Sequence, residues 1–265
     1  MKKTNPDFGA FPSMRSVSRA SLIGILENVR DKVLAWSLEL EKKGVLGEGM
    51  TFAEKEKRDA AAVVFRGRTE TTIILMMSTN PDPEDPLSID KEHTRIAKVR
   101  NASKHQLQIA IEAVPDVDLP EFAKSLRLHK PAVVHLSGHS GDDGSLVIRD
   151  ADGQAVEMTP EGIARMLAVS SATTRLVVLS ACYSAALADL LVADIDCVIG
   201  MTADVDDDAA VLFSELLYGA LFDGVSVNDA FETALGAVMA RHPEQGGNPV
   251  LKCKAGIDPK VVRIV

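Results

Sequence analysis

The sequence predicts an α/β protein: a mainly parallel central sheet covered by helices on both faces, in three αβα layers, preceded by a small helical segment at residues 1–68. Three observations carry this expectation. The chain has 265 residues, 46% of them hydrophobic and 25% charged, which is average for a globular protein and enough to bury a substantial core. From residue 69 onward, short apolar runs of strand length alternate with helical stretches, the pattern that builds parallel sheets. Before that point the pattern is helical only.

The elements follow in order. Leu22, Ile25, Leu26, Val29, Val33, Trp36 and Leu40 recur at steps of three and four, the period of a helix with one apolar face. Gly44, Gly47 and Gly49 interrupt it. Thr51, with Glu54 three residues later, forms a capping box that opens a second, charged helix to about residue 62. A buried-type strand at 71–78 leads into a proline-rich loop at 80–86 and a helix at 89–102. A strand at 105–113, a short helix at 119–128 and a strand at 132–137 follow. Residues 145–148 and 155–157 form a hairpin across 150–153, and 159–169 is a capped helix with Pro160 in its first turn. Then come a strand at 176–180, a helix at 184–192, a strand at 197–201, two longer helices at 208–222 and 227–241, and a terminal strand near 250–254.

Composition also excludes. No apolar run approaches the ~20 residues of a membrane span, and the start, Met1-Lys-Lys-Thr-Asn-Pro6, runs into no apolar segment of the secretory kind. Cys182, Cys197 and Cys253 cannot all pair and show no C-x-x-C spacing, so neither a disulfide framework nor a zinc ribbon is expected, and a cytoplasmic location is. Residues 1–70 carry a net +3 and residues 71–265 a net −12, together the −9 of the chain. An acidic main body repels phosphate backbones, so no nucleic acid and no membrane is expected as partner.

In an open α/β sheet, ligands bind beyond the carboxyl ends of the strands. Two reactive side chains fall there. His139 follows the strand at 132–137 through Gly138, and Cys182 follows the strand at 176–180. One crossover would make those strands neighbours and bring an imidazole to a thiol, a base–nucleophile pair. Cys182 also precedes a helix, whose N–H groups favour a thiolate. Against this stands the ordinary role of cysteine as a small buried hydrophobe. His135 and His139, four apart on an extended strand, lie ~13 Å apart and are no metal pair, so His135 is expected either as a core residue or as a support behind the site. Cys197 and Cys253 are expected as unremarkable strand residues, and the glycine-rich run 138–144 lacks the Lys-Ser/Thr ending of a phosphate loop.

The residues around His139 and Cys182 add a likeness. Pro131-Ala-Val-Val-His-Leu-Ser-Gly-His139, Gly144-Ser-Leu-Val-Ile148, Leu176-Val-Val-Leu-Ser-Ala-Cys-Tyr-Ser184, and Cys197-Val-Ile-Gly-Met201 with Asp207 and Phe213-Ser214 resemble the CHAT family of caspase-like cysteine peptidases, over residues 71–231 and in the same order. The resemblance implies a caspase-like fold over residues 69–265, a His139–Cys182 dyad with no cofactor, an oxyanion hole from the N–H groups of Ser140 and Cys182, and a protein substrate. The family's His is usually followed by Gly; Ser140 serves equally only if its φ is negative. Asp142 and Asp207, with Ser180 as a pocket wall, are expected to bind substrate and select Arg or Lys. Asp207 and its neighbour Asp208 equally suit a helix start, where carboxylates are favoured. Ser21 to Phe52 looks like the helical AbiTii segment at the front of bacterial defence proteins, which implies a protease of antiviral defence or programmed cell death, with an activating partner protein engaging the front helices. The alternative expectation is a catalytically silent signalling or scaffold module of the same shape.

Overall fold

The computed structural model describes residues 71–79, 88–141, 143–150 and 154–265, with scattered positions from 30 to 45. The chain divides into two units, Met1–Arg68 and Thr69–Val265. In the first, the described positions between 30 and 42 are helical, and the Ser37 hydroxyl donates to the Val33 carbonyl at 2.8 Å, one turn back. Val33, on the apolar stripe, is 54% exposed. The rest of that stripe, apart from half-buried Leu40, and the helix expected to about residue 62 lie outside the described residues.

Among the described residues the second unit has eight strands: β1 (Thr72–Ser78), β2 (Ile109–Val114), β3 (Val133–Ser137), β4 (Leu146–Arg149), β5 (Ala155–Met158), β6 (Leu176–Ser180), β7 (Cys197–Met201) and β8 (Pro249–Cys253). The helices are α1 (Ile89–Ala102), α2 (Leu119–His129), α3 (Pro160–Ala168), α4 (Ala185–Leu191), α5 (Asp207–Phe222) and α6 (Val227–Arg241). Six strands form one sheet in the order β2-β1-β3-β6-β7-β8, parallel except for the antiparallel edge β8. The hairpin β4–β5 is a separate two-stranded sheet. Because alternate side chains of a strand point to opposite faces, the sheet has two cores. Ile74, Met76, Val133, Leu176, Val178 and Ile199 pack with α1, α5 and α6 on one face. Leu75, Met77, Val134, Leu136, Val177 and Leu179 pack with α2, α3, α4 and the hairpin on the other. This is the expected three-layer αβα architecture.

One strand begins later than expected. Residues 106–108 form a 3₁₀ turn and β2 starts at Ile109. The Ser103 hydroxyl donates to the Phe222 carbonyl at 2.6 Å and accepts the His105 N–H at 3.0 Å, which holds the chain in a turn before extension begins. Among the described residues, no helix is long and apolar enough to cross a membrane.

The step from β3 into the following loop depends on Gly138. A Cβ there would stand 2.7 Å from Thr79 Oγ1 and 3.1 Å from the Thr79 carbonyl, closer than packed atoms tolerate. Gly138→Ala is therefore expected to cost about 1–3 kcal/mol, read as a fall of several degrees in the melting temperature. An unchanged melting temperature would contradict this close approach.

Candidate active site

Strands β3 and β6 are neighbours in the sheet, and their parallel register sets Ser137 opposite Ser180. His139 and Cys182 each lie two residues beyond that last pair, so both leave the sheet at the same carboxyl edge. They line one pocket of about 410 Å³, together with Ser137, Ser140, Ser180, Glu92, Asp204 and Asp207. Both side chains are half-buried.

Each loop is fixed by its neighbours. On the His139 side, the Val147 N–H donates to the His139 carbonyl at 3.0 Å and the Gly141 N–H to the Ser145 carbonyl at 3.1 Å, so β4 buttresses the loop. Ser140 faces Leu146 between those two bonds. In an antiparallel pair this position turns its N–H away from the partner strand, free of the ladder. Ser140 is not among the positive-φ residues, so serine in place of glycine costs no backbone strain here. Its hydroxyl instead donates to the Cys182 carbonyl and ties the two loops together.

On the Cys182 side, Tyr183 adopts φ +51°, a left-handed conformation that costs a non-glycine residue roughly 1–2 kcal/mol and turns the chain sharply after the cysteine. The next residue locks the corner. Ser184, wholly buried, donates from its hydroxyl to the Ala181 carbonyl at 2.7 Å and accepts the Met201 N–H at 3.0 Å. The loop after β7 closes over the sulfur: Asn248 accepts the Ala203 N–H at 2.8 Å and donates to the Asp204 carbonyl at 2.6 Å, and the Val205 N–H reaches Cys182 Sγ at 3.5 Å.

The thiol differs from the sequence expectation. Burial is the main cause that lifts the Cys182 pKa above its ordinary 9.0, with nearby Asp204 adding to it and the Val205 N–H opposing it. Helix α4 begins only at Ala185 and has seven residues, with the left-handed Tyr183 between it and the cysteine, so its dipole does not make Cys182 a resting thiolate. The resting group is the neutral thiol.

The pocket also holds a residue that sequence reasoning missed. Glu92, on α1 and only 4% exposed, accepts hydrogen bonds from Ser137 (2.8 Å), Ser180 (2.9 Å) and Ser214 (2.6 Å), and its carboxylate lies 3.3 Å from His135 Nε2. Burial alone would raise its pKa. His135 and the hydroxyl bonds outweigh burial and hold it below the usual carboxylate range. Ile89, Glu92, Ile96 and Val99 share one helix face, and this spacing was the available signal; in a run as charged as Asp90-Lys-Glu-His-Thr-Arg95 it was hidden. His135, expected as a core residue or a support behind the site, is fully buried and bonds Ser137 and Tyr218.

The remaining sites divide. Ser180 lines the pocket and donates to Glu92, while Asp207 lines it and accepts the Ser88 N–H at 2.9 Å. The cap of α5 is Asp206, which accepts from the Asp208 and Ala209 N–H groups. Asp142 lies outside the described residues. Cys197 and Cys253 face each other across β7 and β8 as free thiols, with sulfurs 3.6 Å apart. Among the described residues no cluster of metal-ligating side chains occurs.

The chain belongs to the CHAT family: the profile of the CHAT domain matches residues 49–250. The AbiTii profile matches residues 1–65. Comparison with the curated proteins gives no match. Among solved structures, the Drosophila initiator caspase Dronc is similar at 11% identity and TM-score 0.44, over 69% of this chain and 79% of that one. Caspase-1 from Spodoptera frugiperda is similar at 12% identity and TM-score 0.48, over 70% and 87%. The Arg-specific cysteine proteinase gingipain R is similar at 10% identity and TM-score 0.49, over 80% of this chain and 53% of that one.

A thiol that ionises above its ordinary range reacts in proportion to its small thiolate fraction. Alkylation of Cys182 by iodoacetamide, in a Cys197→Ala, Cys253→Ala background, is expected to rise about tenfold per pH unit from 7 to 9 without levelling. A plateau beginning near neutral pH would contradict a neutral resting thiol.

Proposed function

We propose that this protein is a cysteine endopeptidase that cleaves a protein target after a basic residue, with Cys182 as nucleophile and His139 as base and acid. The observation that carries the reading is the pair itself: an imidazole and a thiol on one pocket, each two residues beyond the last matched position of neighbouring parallel strands. Because the resting thiol is neutral, its proton has to leave in the step that forms the bond. As Sγ attacks the scissile carbonyl carbon, His139 takes the thiol proton, and the carbonyl electron pair moves to oxygen. The N–H groups of Ser140 and Cys182 are the proposed donors to that oxyanion. Collapse breaks the C–N bond, and His139 returns the proton to the leaving amine. Water, deprotonated by the same imidazole, then hydrolyses the thioester and releases the new carboxyl end.

The pocket's charge supports a basic residue before the scissile bond. Glu92, Asp204 and Asp207 line it, and neither lysine nor arginine does so among the described residues. The match to AbiTii at residues 1–65 supports work in the cytoplasm in bacterial antiviral defence or programmed cell death, with residues 1–68 as a regulatory segment that receives an activating partner. A second reading, a catalytically silent binding module, is favoured by the same neutral resting thiol. Turnover separates the two.

A fluorogenic peptide panel varying the residue before the scissile bond provides the test. Cys182→Ala and His139→Ala are each expected to lower kcat by at least about a hundredfold, and arginine and lysine peptides to be cleaved best. Turnover that survives either substitution would overturn the dyad. No turnover in the wild-type chain, even with partners or limited proteolysis, would favour the binding module.

A further inference from the structure

We infer that Glu92 is the charge that reads the substrate's basic side chain, and that the aspartates around the pocket mouth are not. The inference rests on the peptidase reading and deepens it by naming the residue that sets specificity. Three lines of geometry carry it.

The first is position. Strand parity sends Ser137 and Ser180 toward the face of the sheet covered by α1 and α5, where Glu92 and Ser214 stand. The pocket that holds His139 and Cys182 extends down to this point, and Glu92 lines it while being almost wholly buried. A charge at such a depth acts through little solvent, whereas an exposed one is screened within about 10 Å by salt. Asp204 is exposed, and Asp207 is engaged by the Ser88 N–H.

The second is unspent hydrogen-bonding capacity. A carboxylate offers about four acceptor directions. Ser180 and Ser214 donate to Oε1, and Ser137 alone donates to Oε2. One direction on Oε2 is left for a guanidinium or ammonium N–H, and the Ser180 hydroxyl, half-buried on the pocket wall, can turn aside to admit a second.

The third is what holds the carboxylate from behind. His135 sits between Tyr218, 3.1 Å from Nδ1, and Ser137, 2.8 Å from Nε2, and Nε2 also lies 3.3 Å from Glu92 Oε1. The Ser137 hydroxyl donates onward to Oε2. His135, Ser137 and Tyr218 are themselves buried, so the carboxylate is held in one orientation, with a direction on Oε2 open to a substrate cation.

The test separates recognition from chemistry. The full chain carrying Cys182→Ala is titrated calorimetrically with short blocked peptides ending in arginine, lysine, citrulline or norleucine amide. Citrulline keeps the shape of arginine and removes its charge. Arginine and lysine peptides are expected to bind at least about tenfold more tightly than citrulline and norleucine. Glu92→Gln is expected to abolish that preference at unchanged citrulline affinity, while Asp204→Asn and Asp207→Asn leave it intact. Equal binding of arginine and citrulline, a preference that survives Glu92→Gln, a preference lost in Asp207→Asn, or no peptide binding at all would each overturn the assignment. The citrulline comparison and the two aspartate variants keep the test decisive even where Glu92→Gln fails to fold. A failed dyad shows instead in turnover and alkylation, which this titration does not use.

Discussion

The parallel pairing of β3 with β6 is the constraint on which the rest of the second unit depends. Parallel strands share a direction, so both chains leave the sheet at the same edge, and a register that sets Ser137 opposite Ser180 sets His139 level with Cys182. A crossover of thirty-eight residues, carrying the hairpin β4–β5 and α3, is needed to return the chain for that pairing. The hairpin then serves twice. It covers the core on the α2, α3 and α4 face through Leu146, Ile148 and Met158, and it holds the His139 loop through its ladder.

The second constraint is a buried charge. Glu92 is stabilised as an anion because His135 and hydroxyls from β3, β6 and α5 converge on it, and a half-satisfied network of this kind would cost more than an apolar one. The helix that carries Glu92 is in turn pinned against α5 at the surface by Lys91 with Asp208 and Arg95 with Glu215. Such exposed pairs contribute little each. Position is their main effect, since the depth of Glu92 follows from where α1 lies. Opposite it, the Cys182 corner is held by Ser184 against β7 and by Ser140 against the His139 loop. The pocket is thus framed by α1, the carboxyl ends of β3 and β6 and the start of α5.

Much of this was legible in the sequence, for identifiable reasons. The strands β6 and β7 end where the apolar runs 176–180 and 197–201 end, because a strand buried on both faces has no polar positions to blur its limits. Helices α5 and α6 carry strong caps, Asp206 and Ser226, and begin within a residue of the predicted starts. His139 and Cys182 were candidates because they follow strand ends, where α/β sheets place ligands, and because the runs around them resemble the CHAT family. Glu92 did not, because a single acid on a charged helix looks like a solvated residue, and only the sheet in three dimensions brings three serines to it. The delayed start of β2 and the locking role of Ser184 were hidden for the same reason: each depends on a partner far away in sequence, Phe222 in one case and Met201 in the other.

The most direct test of the account is covalent capture at the proposed site. The full chain is treated with a peptidyl acyloxymethyl ketone ending in arginine, and the adduct is located by mass spectrometry. The account predicts one adduct, on Cys182, that is lost in His139→Ala. Labelling that ignores His139→Ala, or that falls on Cys197 or Cys253 instead, would contradict it.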